Sequence, residues 1–452
     1  MVGARSSSMG RPGASDITRR LAEICGSSFA RLAGPADEVA GRPARWVAVP
    51  GDAQAAGHVL RLAADHELAV VPRGAGTKID WGAAPDRVDI VLDTGRLAGF
   101  GHRPDDAPEV EVGAGTPMRA VQARLGRGGQ WLPLDPPSPG ATLGGVIAAN
   151  EPGPLRHRHG GPASHLVRLR YLDADGELAT VPVDGAAAAG VDPVRLLCGS
   201  QGGLGLLVAA TLRVQAVPAC RYWVTCPVRH PAEARDLVQV VTTADVDPAA
   251  IEADLPAAPA LSPFVHPAHP SVAGRGVWTG SLVVLLEGDP ADVAERARQL
   301  TALLGPTASG AFQPPPWWGR YPFGPGDVAL RIEAPPDHLH SPLYVLQDVA
   351  RAVYPEASGV PVPARGSLAA GVLYAALAGP LAAGERVTRI VDSLRQTLQP
   401  RGGRCVVVAA PPQVRAAVDF RAGVPVPAGL PEAKERVDPH RRLAPGRLPG
   451  GL

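Results

Sequence analysis

Three glycine-rich turns, each following an apolar, strand-like run, constrain this chain more than any other feature. They are Pro72-Arg73-Gly74-Ala75-Gly76-Thr77, Gly113-Ala114-Gly115-Thr116 and Gly199-Ser200-Gln201-Gly202-Gly203-Leu204-Gly205. Successive small residues let backbone N–H groups converge on one point, and such nests hold phosphate oxygens without needing a lysine. One such turn alone is an ordinary tight turn. Three in one region favour a shared ligand, and a dinucleotide's pyrophosphate is a natural guest. Two common nucleotide motifs are excluded. The G-x-G-x-x-G fingerprint lacks its third glycine after both Gly74-x-Gly76 and Gly113-x-Gly115, and no G-x-x-x-x-G-K-S/T loop occurs.

Apolar periodicity around these turns predicts an α+β chain. A helix is expected from Asp16 to Leu32, a strand at Arg45 to Pro50, a helix at Ala53 to Asp65 and strands at Glu67 to Pro72, Asp86 to Asp93 and Glu109 to Val112. Helices follow at Met118 to Leu125 and Ala141 to Asn150, then strands at Leu166 to Asp173 and Leu204 to Val214. Beyond a boundary near Ala216 to Cys220 the pattern predicts strands at Gly280 to Glu287, Val328 to Glu333 and Arg404 to Ala409. Helices are expected there at Pro290 to Leu304, Pro342 to Val353 and Arg386 to Leu398. These elements divide the chain into a tail and helix (1–40), a first domain (41–218), a second domain (219–428) and a terminal segment (429–452) returning to the first domain.

The 452 residues are enough for two or three domains. A formal net charge of +1 gives no field to recruit nucleic acid or an anionic membrane. Cys25, Cys198, Cys220, Cys226 and Cys405 form no C-x-x-C pair, which argues against zinc, an iron–sulfur cluster or a disulfide framework and fits a reducing cytoplasm. The first fifteen residues lack the apolar core of a secretory signal and read as a loose tail. The uncharged stretch Gly366 to Gly384 approaches transmembrane length, but its Ala and Gly content and Pro380 point to a buried strand and helix start.

A fourth segment, Leu134-Asp135-Pro136-Pro137 followed by Gly140 to Asn150, offers small side chains that let a helix start lie flat against a planar ring or a diphosphate. Flavin dinucleotide is both. The order of these segments resembles the FAD-binding domain of the vanillyl-alcohol oxidase and p-cresol methylhydroxylase (PCMH) flavoprotein superfamily, from Arg45 to about Val214. Pro72 to Thr77 resembles that family's pyrophosphate loop, and Ala141-Thr142-Leu143-Gly144-Gly145 matches its A-T-L-G-G segment against the flavin. Gly199-Ser200 with Gly203-Leu204-Gly205 is similar to its G-S-x-G-T-L-G turn, with Gly203 in place of threonine. Lys434, Asp438-Pro439 and Leu443 to Arg447 resemble the K-x-x-x-D-P and N-P-G-R close, with Ala444 where asparagine is usual. Among subfamilies, Gly76 to Gly82 and Gly153 to Arg156 are most similar to the E-type, FAD-binding subunit of bacterial glycolate oxidase.

The resemblance implies a two-subdomain PCMH-type FAD-binding domain followed by an α+β cap. It places cofactor contacts at Pro72, Arg73, Gly74, Ala75, Gly76, Thr77, Lys78, Asp93, Gly113, Gly115, Thr116, Pro136, Ala141, Thr142, Gly144, Gly145, Ala148, Asn150, Gly153, Arg156, Gly199, Ser200, Gly205 and Leu206. Covalent tethering in this superfamily uses a histidine after the loop glycines or a cysteine near the later glycine segment. Thr77 holds the first position and no cysteine lies between Cys25 and Cys198, so the resemblance implies non-covalent FAD.

No catalytic residue is singled out, because the isoalloxazine of a flavin enzyme performs the electron chemistry. His157 and His159, flanking Arg158, are candidates beside the flavin. His338-x-His340 and His266-x-x-His269 lack an evident third ligand and predict no metal. The G-H-x-G-D-G-N-x-H motif of hydroxy-acid-oxidising relatives is absent, and Arg320 and Arg331 read as surface pairs. The first reading is an E-type component of a 2-hydroxy-acid oxidase, working with a catalytic flavoprotein subunit and an iron–sulfur subunit in the cytoplasm, peripheral at the inner face of the membrane through those partners. The alternatives are a stand-alone flavin oxidase or dehydrogenase of an alcohol, sugar or hydroxy acid, and a non-catalytic assembly subunit.

Overall fold

The computed structural model describes residues 14–104, 106–183, 192–255, 280–353 and 362–452. Most of the expected tail, and the pair His266 and His269, lie outside these residues.

The first domain is built on two four-stranded sheets. In the first, the order is Ala30–Leu32, Trp46–Ala48, Ile90–Asp93, Val70–Arg73. The first pair runs antiparallel, whereas both Trp46–Ala48 and Val70–Arg73 lie parallel to Ile90–Asp93. The helix Ala53–Asp65 is capped by the Asp52 carboxylate, which accepts from Ala55 N at 2.8 Å. Its apolar face, Ala56, Val59, Leu60 and Ala63, packs with Trp46, Val70, Ile90 and Leu92 in one core. That face recurs at the three- and four-residue spacing of an amphipathic helix. The second sheet is antiparallel, ordered Glu109–Gly113, Leu206–Arg213, Leu166–Leu172, Leu178–Pro182, and it shares a second core with the helices Met118–Gly126 and Leu143–Ala149.

One expected element is corrected. The first helix spans Ala14–Cys25 and does not run on to Leu32. Gly26 takes φ 94°, which turns the chain out of the helix, and Ala30–Leu32 becomes the edge strand paired with Trp46–Ala48. The strands expected from Glu67 and Asp86 begin later, at Val70 and Ile90.

The second domain is one eight-stranded antiparallel sheet, ordered Ser309–Ala311, Cys220–Val228, Gly280–Gly288, Ala250–Leu255, Ala364–Ser367, Val372–Leu377, Val328–Glu333, Arg404–Ala409. Four helices, Pro231–Thr243, Pro290–Leu304, His340–Val353 and Gly384–Leu398, contribute to the core on one face. The strand period of two explains why its central strand reads as continuous apolar sequence. Leu282, Val284 and Leu286 belong to the helix-side core, while Val283 and Leu285 join Trp131, Leu155 and Trp223 on the side of the first domain. Both faces are covered. The same alternation in Ala250–Leu255 puts Ile251, Ala253 and Leu255 among the helices and sends the buried Glu252 and Asp254 the opposite way. No described helix is long and apolar enough to cross a membrane.

The terminal segment lies on the first domain. Leu443 bridges Val70 in parallel, extending the first sheet, and Leu430 and Ala433 of the helix Leu430–Val437 enter the second core.

Candidate functional site

A cleft of roughly 730 Å³, including its open mouth, runs along the first domain. Its walls are the loop 72–79, the start and last turn of the helix Leu143–Ala149, and the turn 201–207. The loop leaves the strand Val70–Arg73 and, by residue 76, has turned through Gly76 at φ 73°. Among the described residues none of the five successive backbone N–H groups from Gly74 to Lys78 donates a hydrogen bond within the protein. Backbone donors left unpaired in a folded protein normally have a partner outside it. Five successive free donors suit an anionic group such as a diphosphate.

The loop's own cations are otherwise engaged. Arg73 donates to Asp37 at 3.0 Å and to Asp93 at 3.0 Å, and Asp37 also takes two hydrogen bonds from Arg31. Arg31 foremost, with Gly34 N and Arg73, holds the Asp37 carboxyl well below its usual range. Asp93 therefore shapes the loop through Arg73 and through Gly95 N, which donates to it at 2.9 Å. Arg447, buried by the terminal segment, donates to the carbonyls of Ile79 and Trp81 and so pins the far end of the loop. Burial lowers its guanidinium to about 10.

Close packing demands small residues at the next wall. A Cβ on Gly74 would strike Thr142 Oγ1, the atom that caps the helix Leu143–Ala149 by accepting from Gly145 N. On Gly144 it would lie 2.7 Å from Ala114 Cβ and 3.0 Å from Ala114 O. Asn150 ends this helix at φ 45°, and the third turn is tied to it by Gly199 N to Ile147 O and Gln201 N to Ala148 O. Gln201 Oε1 and Ser200 Oγ are buried without a hydrogen-bond partner, and Gln201 lines the cleft. An unpaired amide oxygen, five unpaired N–H groups and a wall that only small residues can form fit a bound dinucleotide.

The residues expected from sequence are divided by this geometry. Residues 72–78, with Thr142, Gly144, Gly145, Ala148, Gly205 and Leu206, line the cleft. Gly113, Gly115 and Thr116 stand behind it: Gly115 abuts Thr94 O, and the Thr116 hydroxyl accepts from Gly99 N at 3.0 Å. Gly153 and Arg156 line a second cavity. His157 and His159 share the short helix Arg156–His159, where His159 meets Glu287 at 3.2 Å and stands edge-on to Trp131. Arg331 pairs with Glu333, and Arg320 is exposed at the second cavity.

Sequence reasoning missed the partition between cleft and cavity. Lys78 reaches Glu151 at 2.5 Å and Ser138 Oγ at 2.6 Å, and its ammonium lies 4.0 Å from the Trp81 ring centroid. Tyr321 donates to the same Glu151 oxygen at 2.9 Å and stacks on Phe323. Burial lowers the Lys78 ammonium, opposed by Glu151. Burial, with Tyr374 and Glu151 nearby, raises the Tyr321 phenol well above its ordinary value. Lys78 faces the cleft and Tyr321 the cavity, so this cluster is their common wall.

The domain that carries this cleft matches, over residues 44–182, the family model described as FAD binding domain. The chain is 32% identical over 180 residues to D-2-hydroxyglutarate dehydrogenase of Xanthomonas citri pv. viticola, covering 38% of this chain and 37% of that one. It is 25% identical over 214 residues to glycolate oxidase subunit GlcD of Bacillus subtilis, covering 46% and 44%. A solved alkyldihydroxyacetonephosphate synthase superposes with a TM-score of 0.70 at 14% identity, over 98% of this chain and 87% of that one, which shows the shared fold. The chain matches 30% to 44% of the length of its curated relatives.

Proposed function

We propose that the chain is an FAD-dependent oxidoreductase component that holds its flavin non-covalently and works as the E-type subunit of a 2-hydroxy-acid oxidase, beside a catalytic flavoprotein and an iron–sulfur subunit. The run of five unengaged N–H groups from Gly74 to Lys78 carries the flavin reading. When bound, FAD supplies the two-electron chemistry. The chain's own residues position it: the loop amides take the diphosphate, Arg447 fixes the loop, and Lys78 with Glu151 and Tyr321 excludes water from the partition. Thr77, where a tethering histidine would stand, supports non-covalent binding. The likeness to a glycolate oxidase subunit supports the assembly.

A second reading, substrate oxidation on this chain itself, is favoured by the second cavity behind Tyr321. The visible spectrum of the chain purified alone, before and after anaerobic glycolate or D-lactate, tests both. The expected result is a yellow protein whose flavin is freed by denaturation. Bleaching by either acid would locate oxidation here, and a colourless chain that takes up no added FAD would overturn the proposal.

A further inference from the structure

The loop that follows the strand Val70–Arg73 divides into two halves. Among the described residues, 74–78 carry the unengaged N–H groups, whereas 78–83 are held by the second domain. Arg415, at the end of the short helix Pro412–Arg415, donates through one arm of its guanidinium to Asp80 O at 2.8 Å and through the other to Gly82 O at 2.7 Å. Gly82 N donates to Val408 O at 2.8 Å, on the outer strand Arg404–Ala409 of the eight-stranded sheet. Ala83 is buried in the second domain's own core, and the Trp81 ring lies 5.3 Å from Tyr321 and 5.8 Å from Phe323. Lys78, whose N–H is the last of the free donors, reaches Tyr321 Oη with its ammonium at 3.2 Å.

No slack separates the two halves. Ile79 N donates to Gly76 O at 3.1 Å and Trp81 N to Lys78 O at 3.1 Å, so consecutive turns carry the chain from one half to the next. Asp80 accepts from Ala40 N at 2.7 Å, and Arg447 holds the carbonyls of Ile79 and Trp81. Arg415 stands outside the cleft walls, yet its planar fork fixes two carbonyls just beyond the last free donor. Backbone donors hold an anion well when they already converge, because the cost of ordering them is then not charged to binding. A contact that fixes the second half of this loop therefore preorganises the first.

We infer that Arg415 is a positioning residue for the dinucleotide, and that ligand binding on residues 74–78 and docking of the second domain on residues 78–83 form one linked equilibrium. A bound diphosphate that holds the first half in its converged shape favours the shape of the second half on which the second domain seats. Linkage is reciprocal: the second domain tightens the ligand by the same factor by which the ligand tightens the docking. Loading with the dinucleotide thereby sets the two-domain surface that any partner protein meets. The inference rests on the flavoprotein reading for the identity of the ligand but not for the linkage itself.

FAD affinity, read from the quenching of flavin fluorescence, and amide hydrogen exchange of the full chain with and without FAD test it. Arg415→Met should weaken FAD about tenfold. Arg415→Lys, which keeps the charge but reaches one carbonyl only, should fall between the parent and the methionine variant. Asp289→Ala removes the cap of the helix Pro290–Leu304 and leaves every loop contact in place, so it should bind FAD as the parent does. In the parent, FAD should slow exchange about tenfold across residues 317–323 and 404–409, none of which lines the cleft, and in Arg415→Met that slowing should be lost. Parent-like affinity in Arg415→Met, an equal loss in Asp289→Ala, or exchange in the second domain that FAD leaves unchanged would overturn the linkage. Calorimetric titration with inorganic pyrophosphate, which needs only the loop amides, separates the two readings. A parent that ignores FAD but binds pyrophosphate, and binds it less well as Arg415→Met, would sink the flavoprotein reading and leave the linkage standing. A parent that binds neither overturns both.

Discussion

Replacing Lys434 by Met should be among the most destabilising single changes in the first domain. Lys434 is 2% exposed and donates to Gly203 O at 2.8 Å, Leu443 O at 2.9 Å and Asp438 at 2.6 Å. Asp438 is fully buried and also accepts from Arg442 N and Leu443 N. One ammonium thus joins the third glycine turn to the terminal segment. Methionine fills the volume but leaves a buried carboxylate without its cation and two carbonyls without a donor. Breaking a buried pair in this way costs about 3–5 kcal/mol, which corresponds to a fall in Tm on the order of 10 °C for a domain of this size. Thermal unfolding followed by circular dichroism on the FAD-free chain reads this without the stabilisation that a bound ligand adds. Lys434→Met with Asp438→Asn should recover about half, because the amide carries no charge yet still accepts one N–H. A single variant that melts within about 2 °C of the parent would refute the assignment of Lys434 as the tie between these segments.

Other changes test the cleft and the buried carboxyls. Gly144→Val, whose side chain must displace Ala114, should lower flavin retained per chain at least tenfold, measured by visible absorbance after gel filtration; normal retention would mean that FAD sits elsewhere. Asp37→Asn should cost on the order of 2 kcal/mol near neutral pH. Because the folded pKa of Asp37 lies below its ordinary 3.8, that contribution is whole above pH 3.8 and drains away as pH falls further, so parent and variant should converge in acid denaturation. Glu252 has the opposite sign: burial first, then the Asp135 charge, raise it from 4.5 to about 8. The parent should therefore lose stability relative to Glu252→Gln as pH rises from 4.5 to about 8, with a constant difference above; urea midpoints that stay parallel across that range would show that the carboxyl is not desolvated.

Most of the first domain was legible because its determinants are local. Gly74-Ala75-Gly76 follows an apolar run, Asp52 caps a periodic helix, and Ala141 to Gly145 places small residues where a Cβ would collide, so turn chemistry and periodicity point to the observed elements. The first helix was overextended because the apolar spacing continues past Gly26 into Phe29, and only the positive φ of that glycine, fixed by tertiary packing, ends it. Pro290–Leu304 and Val328–Glu333 could be read to the residue, the helix because Asp289 caps it and Pro290 begins it.

The partition and the second cavity were not legible, for a different reason. Lys78, Glu151, Tyr321 and Glu252 are far apart in sequence, and no spacing rule brings a lysine in a glycine loop to a tyrosine from the other domain. Glu252 is hardest to see, because Ala250-Ile251-Glu252-Ala253-Asp254-Leu255 reads as a polar-out, apolar-in strand at a sheet surface. That alternation is real, and the polar face does point away from the helices. What sequence lacks is the knowledge that the first domain covers that face. The covering turns an ordinary exposed carboxylate into a desolvated acid beside an unpaired arginine. A pattern that would predict a solvent face thus becomes a chamber wall, and the chemistry of the site arises from the docking of two domains rather than from either one's sequence pattern.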